Sequence, residues 1–411
     1  MSADFWVLML VPFILVLSNS LLIPVLPQIQ TALDISLFKS GLIITAFSLT
    51  AGLVIPLAGF LSDRVGRKAV MVPSLLLFGL GGTAAGLSAW LLKNPYPWVL
   101  AARVLQGIGG GGTYQLALAL AGDIYTGKKR SRAVGYLEAA NGFGKVTAPL
   151  MGSATALLIW FAPFFLYGLL AWPAAFLVWF ICQEPPLKPP SEAKAYLAEL
   201  KQVWTERGCG LVACFVAGFL ALFLFFGLLS YLSDVFEKKM GIKGFTRGLL
   251  VAIPVLSLTL TCSLIGIYLE KHLGKPLKIA LLLGLGLVST ALVVLALLPA
   301  GYLYFVPLVA AAIGIGIFLP GLNLLITSGA ASEERGFVTA LYGTVRFFGA
   351  ALGPPAVGLG LELGKKTLFL IFALIATLVL ALVWWQVDPE YMLPSKLVKS
   401  SGDNSAEGAD N

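Results

Sequence analysis

Apolar residues run along this chain in long blocks, separated by short polar stretches rich in turn-forming residues. Blocks so long and uniform show neither the alternation of a half-buried strand nor the one-sided stripe of a soluble helix. A helix needs about 20 mostly apolar residues to cross the hydrocarbon core of a bilayer. Twelve segments fit: 5–26, 37–61, 69–92, 97–121, 134–158, 162–182, 209–232, 246–269, 276–298, 303–327, 336–360 and 366–386. The pattern predicts an all-α membrane protein with twelve transmembrane helices. The longest polar interruption, Gln183–Gly208, opens on Glu184-Pro-Pro-Leu-Lys-Pro-Pro190. Proline removes backbone donors there, so no regular helix forms. Ser191 can cap the stretch that follows, where Ala195, Leu197, Leu200, Val203 and Trp204 share a face. A short surface-lying helix is expected. The chain therefore divides into a six-helix bundle over 1–182, a linker over 183–208, a second bundle over 209–387 and a tail over 388–411. The tail's small polar residues predict disorder.

Composition agrees with the pattern. Apolar residues make up 58% and charged residues 12% of the 411, and mean hydropathy is +0.92. A soluble domain carries roughly 25% charged residues. The net charge of +8 invites a nucleic-acid partner, but the basic residues are spread over short loops rather than gathered on one face. With the N-terminus inside, 17 Lys and Arg fall on inner segments and 8 on outer ones. That asymmetry predicts a multi-pass protein of the cell (inner) membrane with both termini cytoplasmic. The outer loop around Lys238–Lys243 fits this rule poorly. Met1–Trp6 holds no basic region of the kind a signal peptide begins with, so the first span reads as a retained helix. Cys182, Cys209, Cys214 and Cys262 lie in or beside apolar spans, at spacings that suggest neither a disulfide framework nor a metal site.

Between the second and third spans stands Gly59-Phe-Leu-Ser-Asp63-Arg64-Val-Gly66-Arg67-Lys68. This string resembles the loop between the second and third helices of major facilitator superfamily transporters. Gly266-Ile-Tyr-Leu-Glu270-Lys271-His-Leu-Gly274-Lys275 echoes it after the eighth span, with one extra residue. Gly144-Lys-Val-Thr-Ala148-Pro149-Leu-Met-Gly152 in the fifth span is echoed by Gly349-Ala-Ala-Leu-Gly353-Pro354 in the eleventh. Two echoes at matching helix positions indicate internal duplication. The resemblance implies two pseudo-twofold six-helix bundles that work by alternating access. It also implies a cytoplasmic gate at Gly59, Asp63, Arg64, Gly66 and Arg67, with Glu270 and Lys271 as the weaker counterpart. Arg103-Val-Leu-Gln106-Gly107-Ile-Gly109 is similar to the family's fourth-helix signature. The set Gly144, Ala148, Pro149 and Gly152 is similar to the antiporter motif of drug:proton exporters, with Ala148 in place of a glycine. Asn19-Ser-Leu-Leu-Ile-Pro24-Val-Leu-Pro27 also resembles this branch.

Charge deep in a span costs about 2.5–3.5 kcal/mol on insertion scales, so each such residue is a functional candidate. Arg103, Glu138, Lys145 and Arg346 qualify. Glu138, roughly one turn into the fifth span, is the expected proton carrier; the plainer reading is a carboxylate at the membrane rim held by Arg130 or Arg132. Lys145 lies seven residues on, near mid-depth on the same face. It either meets cargo or pairs internally with a carboxylate. Aligning Pro354 on Pro149 sets Arg346 opposite Asn141, and both are expected at the substrate site. A guanidinium there can hold a carboxylate, phosphate or catecholate; the alternative is an arginine that packs helices. Arg103 either takes part in proton coupling, as the resemblance implies, or ties the fourth span to the first through Asn19. Asp123 is a candidate for proton coupling or for pairing with the first-loop basic residues. Asn323 either joins the substrate site or makes a helix-to-helix hydrogen bond. Gly109-Gly-Gly-Gly112 lies inside an apolar span without a following Gly-Lys-Ser/Thr, which argues against nucleotide binding. The single histidine, His272, falls in a loop.

These readings point to a secondary transporter, most simply a proton-coupled exporter of an amphipathic organic molecule. No acidic residue lies in residues 5–27, where exporters of cationic drugs often carry one. The deep residues are net positive, which favours an anionic or zwitterionic cargo. An importer or facilitator, or a lipid flippase of the same fold, remains open. One loop histidine and no Ser/His/Asp grouping speak against a membrane enzyme. No cofactor or metal is expected. The expected partners are a small-molecule substrate, protons and the lipid bilayer, with the protein a monomer.

Overall fold

The computed structural model describes residues 3–185, 193–299, 301–329 and 335–393. These form α-helices joined by tight turns: α1 (Ala3–Ser20), α2 (Leu26–Leu33), α3 (Leu37–Val65), α4 (Arg67–Leu91), α5 (Tyr96–Gly111), α6 (Tyr114–Ile124), α7 (Gly127–Ala156), α8 (Ala162–Ile181), α9 (Ala193–Met240), α10 (Gly244–Lys271), α11 (Lys275–Leu297), α12 (Phe305–Gly329), α13 (Arg335–Gly360), α14 (Lys365–Gln386) and the short α15 (Pro389–Met392). With α1–α2 and α5–α6 each counted as one interrupted span, they make the twelve long helices expected. Among the described residues, nine are long and apolar enough to cross a membrane. The other three, α5–α6, α7 and α13, carry Arg103, Glu138, Lys145 and Arg346.

The two interruptions have local causes. Pro24 lacks an N–H, and the chain passes from α1 through a 3-10 turn, Ile23–Val25, into α2. Leu22 N–H then bonds Asn19 O at 3.0 Å, which leaves the Ser18 carbonyl for side chains from other helices. In the fourth span α5 ends in the glycine run, and Thr113 Oγ1 closes back on Gly110 O at 2.7 Å.

Two differences from the sequence reading concern the linker and the tail. α9 runs unbroken from Ala193 to Met240, so the stretch expected to be a separate surface helix is the beginning of the seventh span's helix. A face of five apolar residues fits a helix lying on a membrane, and equally one continuing into it. Pro186–Glu192 and the side chains of 193–207 lie outside what is described. The tail expected to be disordered starts with α15, and Met392 and Leu393 are buried; residues 394–411 lie outside the described residues.

The helices gather into two compact units. One comprises 1–190 with 226–253 and 350–359, and the other 191–225, 254–349 and 360–411. In the first unit, Phe5, Leu8, Met71, Leu75, Leu116, Leu120, Leu137 and Val178 form a core shared by α1, α4, α6, α7 and α8. At the end of α3 away from Gly59–Lys68, this unit also holds the adjoining ends of α9 and α10 and part of α13. There Thr45 Oγ1 donates to Ala351 O at 2.6 Å, and an added Cβ on Gly41 would lie 2.7 Å from Pro355 N. Gly358 presses as closely on Phe38. In the second unit α11 packs against α12 and α14. A Cβ on Gly284 would lie 2.6 Å from Gly314 O, and Ser289 Oγ donates to Ala373 O at 3.0 Å. Lipid tails are as apolar as leucine, so such close packing and interhelical hydrogen bonds hold membrane helices together.

Candidate functional site

The turn Gly59–Lys68 is built as a charged lock. α3 ends at Val65 and α4 begins at Arg67, leaving Gly66 alone to turn the chain at φ 107°. That backbone is in the region glycine favours. Arg67 Nη1 lies 2.5 Å from Asp63 Oδ1 and bonds Ser62 Oγ at 2.7 Å, while its Nε reaches Asp123 Oδ2 of α6 at 3.3 Å. The Arg64 guanidinium lies over the Phe60 ring at 3.6 Å. Glu184, past the end of α8, accepts from the backbone N–H groups of Arg67 and Lys68. Its carboxylate thus caps α4 and opposes the positive end of the helix dipole. Lys68 Nζ donates to Trp179 O at 2.7 Å and Cys182 O at 2.6 Å. Gly59 packs openly, with nothing near where a Cβ would stand. The lock thus joins α3, α4, α6 and the segment after α8. The counterpart differs: Glu270 and Lys271 are exposed, and His272 stacks on Tyr268 with ring centres 4.3 Å apart.

Arg103 is fully buried. Its guanidinium donates to Ile43 O at 3.1 Å, Gln106 Oε1 at 2.6 Å, Ser18 O at 3.1 Å and Asn19 Oδ1 at 3.0 Å. The Phe47 ring lies 4.6 Å from its centre. Asn19 Nδ2 donates to Ser48 Oγ at 2.6 Å, and Tyr167 OH to Ser18 O at 2.8 Å. Arg103 and Asn19 therefore tie α5 to α1 and α3, with both polar ends of Asn19 engaged inside the bundle. The carbonyl released by the 3-10 turn is part of what satisfies this cation.

α7 carries the remaining first-unit candidates. Glu138 is exposed on the protein surface and accepts a hydrogen bond from Tyr114 OH of α6. Lys145 is half-buried, and Asn141 between them is buried. The small residues of the fifth-span motif bring α7 against α1. A Cβ on Gly144 would lie 3.2 Å from Phe13 O, and one on Gly152 2.8 Å from Leu21 C. Ala148 is wholly buried, and Pro149 O faces α10 at Gly248.

In the second unit Arg346 Nη1 approaches Asn323 Oδ1 of α12 at 3.4 Å. Its guanidinium centre lies 5.3 Å from the Tyr342 ring, and its buried Nε has no partner among the described residues. Tyr342 stacks on Phe215 of α9, and its buried hydroxyl also lacks a partner. Arg346, Tyr342 and Asn323 form one cluster, half-exposed at the arginine.

The sequence reading missed three features: the cap by Glu184, the stacking of Tyr342 beside Arg346, and an ion pair between Glu237 and Arg247. The proline run beginning at Pro185 drew attention away from Glu184. Arg247 was counted with the outer segments, at the edge of the span 246–269, and it is 1% exposed. The signal was present, because Glu237 and Arg247 stand three residues either side of the turn between α9 and α10.

Family models agree with this architecture. The model described as Major Facilitator Superfamily matches residues 8–354. The chain belongs to the Major Facilitator Superfamily. It is 37% identical over 381 residues to the bacillibactin exporter of Bacillus subtilis, covering 92% of this chain and 94% of that protein. It is 27% identical over 353 residues to the multidrug efflux protein YfmO of the same organism, covering 82% and 81%. Among solved structures, a bacterial homologue of the human lysosomal transporter Spinster, inward-facing and unoccupied, superposes with a TM-score of 0.71 at 18% identity over 97% of each chain. The protein is a membrane transporter with the major facilitator fold.

Proposed function

We propose that this transporter exports an anionic amphipathic molecule in exchange for protons, by alternating access between two six-helix halves, with both termini in the cytoplasm of a bacterial cell. The observation that carries the reading is Arg346, a partly exposed guanidinium within a span whose buried Nε has no partner among the described residues. Arg103, by contrast, is consumed by its network. The extensive identity to a bacillibactin exporter supports the direction of transport and makes bacillibactin the first candidate cargo. Arg346, with Tyr342 and Asn323, offers a guanidinium beside an aromatic ring, a pairing suited to a planar anion. Asn141 and Lys145 of α7 are the cargo-binding candidates of the first unit. Glu138 acts as the proton-releasing carboxylate, near the face where Arg67, Asp63 and Asp123 gate the cytoplasmic side.

The test uses inside-out vesicles with an imposed proton gradient. Bacillibactin accumulates in vesicles carrying the wild type, and Arg346→Ala and Lys145→Ala each lower the rate roughly tenfold, the size of one lost charge-assisted hydrogen bond. Undiminished transport of anionic candidates in both variants rejects the anion site. Accumulation without a gradient rejects proton exchange.

A further inference from the structure

We propose that Glu237, paired with Arg247, is the proton-loading site of this transporter on the face opposite Gly59–Lys68. This rests on the proton-exchange reading above. Glu237 lies three residues before the end of α9 and Arg247 three residues after the start of α10, so the short turn between them sets the two side chains face to face. The Glu237 side chain keeps 16% exposure while Arg247 keeps 1%. The carboxylate is therefore the member of the pair that water can reach.

The pair stands at the outer end of a polar stripe. Ser230, Ser233, Asp234 and Glu237 follow the spacing that places residues on one face of a helix. Ser230 and Ser233 are 1% and 0% exposed, and their hydroxyls have no partner among the described residues. Ser153 of α7, also buried with an unpartnered hydroxyl, lies against Gly248 beside Arg247. A structural ion pair at a helix end has no need of unpaired hydroxyls leading inward from it. Unpaired buried hydroxyls are uncommon because each forgoes its bonds to water. Here they supply groups that can both donate and accept, continuing from a carboxylate into the span.

The other charges around Glu237 are accounted for. Asp234 lies 2.8 Å from Lys238, which also donates to Gln30 Oε1 of α2 at 2.9 Å. Lys239 and Lys243 are exposed. Arg247 thus faces Glu237, while Lys238 is occupied by Asp234. A proton taken from water on this face binds the Glu237 carboxylate, and the ion pair becomes a neutral acid beside a cation. Losing the proton again restores the pair. Glu138, near the other face, is the matching point of release.

Two measurements on the purified full-length protein decide this. Infrared difference spectra recorded across a pH titration show a protonated-carboxyl band in the wild type. In a Glu138→Gln background, which removes the other proposed carrier, Glu237→Gln combined with Arg247→Gln loses that band. The double substitution leaves no orphaned buried cation that would itself unfold the helix pair, and a monodisperse elution profile checks folding. Glu237→Asp retains a titrating band, shifted in position. In inside-out vesicles, where the Glu237 face meets the lumen, the double variant loses the dependence of bacillibactin transport on lumenal pH. An unchanged band overturns the proposal, as does a lost band with an unchanged pH profile. If wild-type transport ignores the proton gradient, the export reading fails separately, and a retained band in the double variant still rejects the site.

Discussion

The turns at Gly59–Lys68 and Gly266–Lys275 descend from one pattern but are put together differently. In both, a glycine with positive φ immediately precedes the next helix: Gly66 at 107° before α4 and Gly274 at 82° before α11. The extra residue in the second is taken up where α10 has ended at Lys271, so three residues bridge the helices instead of one. The first turn engages Asp63, Asp123 and Glu184, two of them from beyond its own string. In the second, Glu270 and Lys271 stand exposed. Duplication preserved a positive-φ glycine before the helix, although ψ is 149° at Gly66 and −124° at Gly274, while two of the three carboxylates that make the first turn a lock come from elsewhere in the chain.

Substitutions can break this comparison in graded steps. The largest effect is expected at Gly66→Val. A β-branched residue at that φ is strained, and its Cβ would meet Glu184 Oε2 at 3.1 Å. The cost is about 1–3 kcal/mol, read as a lower unfolding temperature in detergent together with lost transport. Equal loss at Gly274→Val would show that backbone geometry, and not the carboxylate contact, dominates. Next comes Glu184→Gln, which weakens the cap of α4 by roughly 1 kcal/mol. Thermal unfolding and transport rate should both fall, and an unaltered protein would remove Glu184 from the lock. Glu270→Gln with Lys271→Ala should have the smallest effect, within about 0.5 kcal/mol, as for exposed residues away from special contacts. A large transport defect there would mean that the second turn is a gate in its own right.

The candidate residues differ in how far the sequence could read them. Arg103 was found because charge inside an apolar run is costly wherever it sits, and its tie through Asn19 followed from the nearest polar group in the first span. The pairing of Arg67 with Asp123 was legible for the same reason, since both end helices at one face. Glu184 was not, because nothing in a proline-rich stretch says that its carboxylate will meet the N-terminus of a helix 117 residues away in the chain. Arg247, one residue inside the span read as 246–269, was counted with the outer segments because hydropathy fixes a span's end only to within a few residues. Near a helix end, that error separates a solvated loop cation from a buried partner.

The long apolar runs by themselves determined twelve spans, because a bilayer demands a helix of fixed minimum length whatever surrounds it. Two sets of motif echoes determined the duplication. What only the tertiary structure decided was which polar groups meet. Arg103 is satisfied by a carbonyl that a 3-10 turn in another helix released, Arg67 by carboxylates from α3 and α6, and Arg247 by a glutamate across a tight turn. Inside a membrane each such group must find its partner within the protein, and the partner is fixed by the packing of helices distant in the chain.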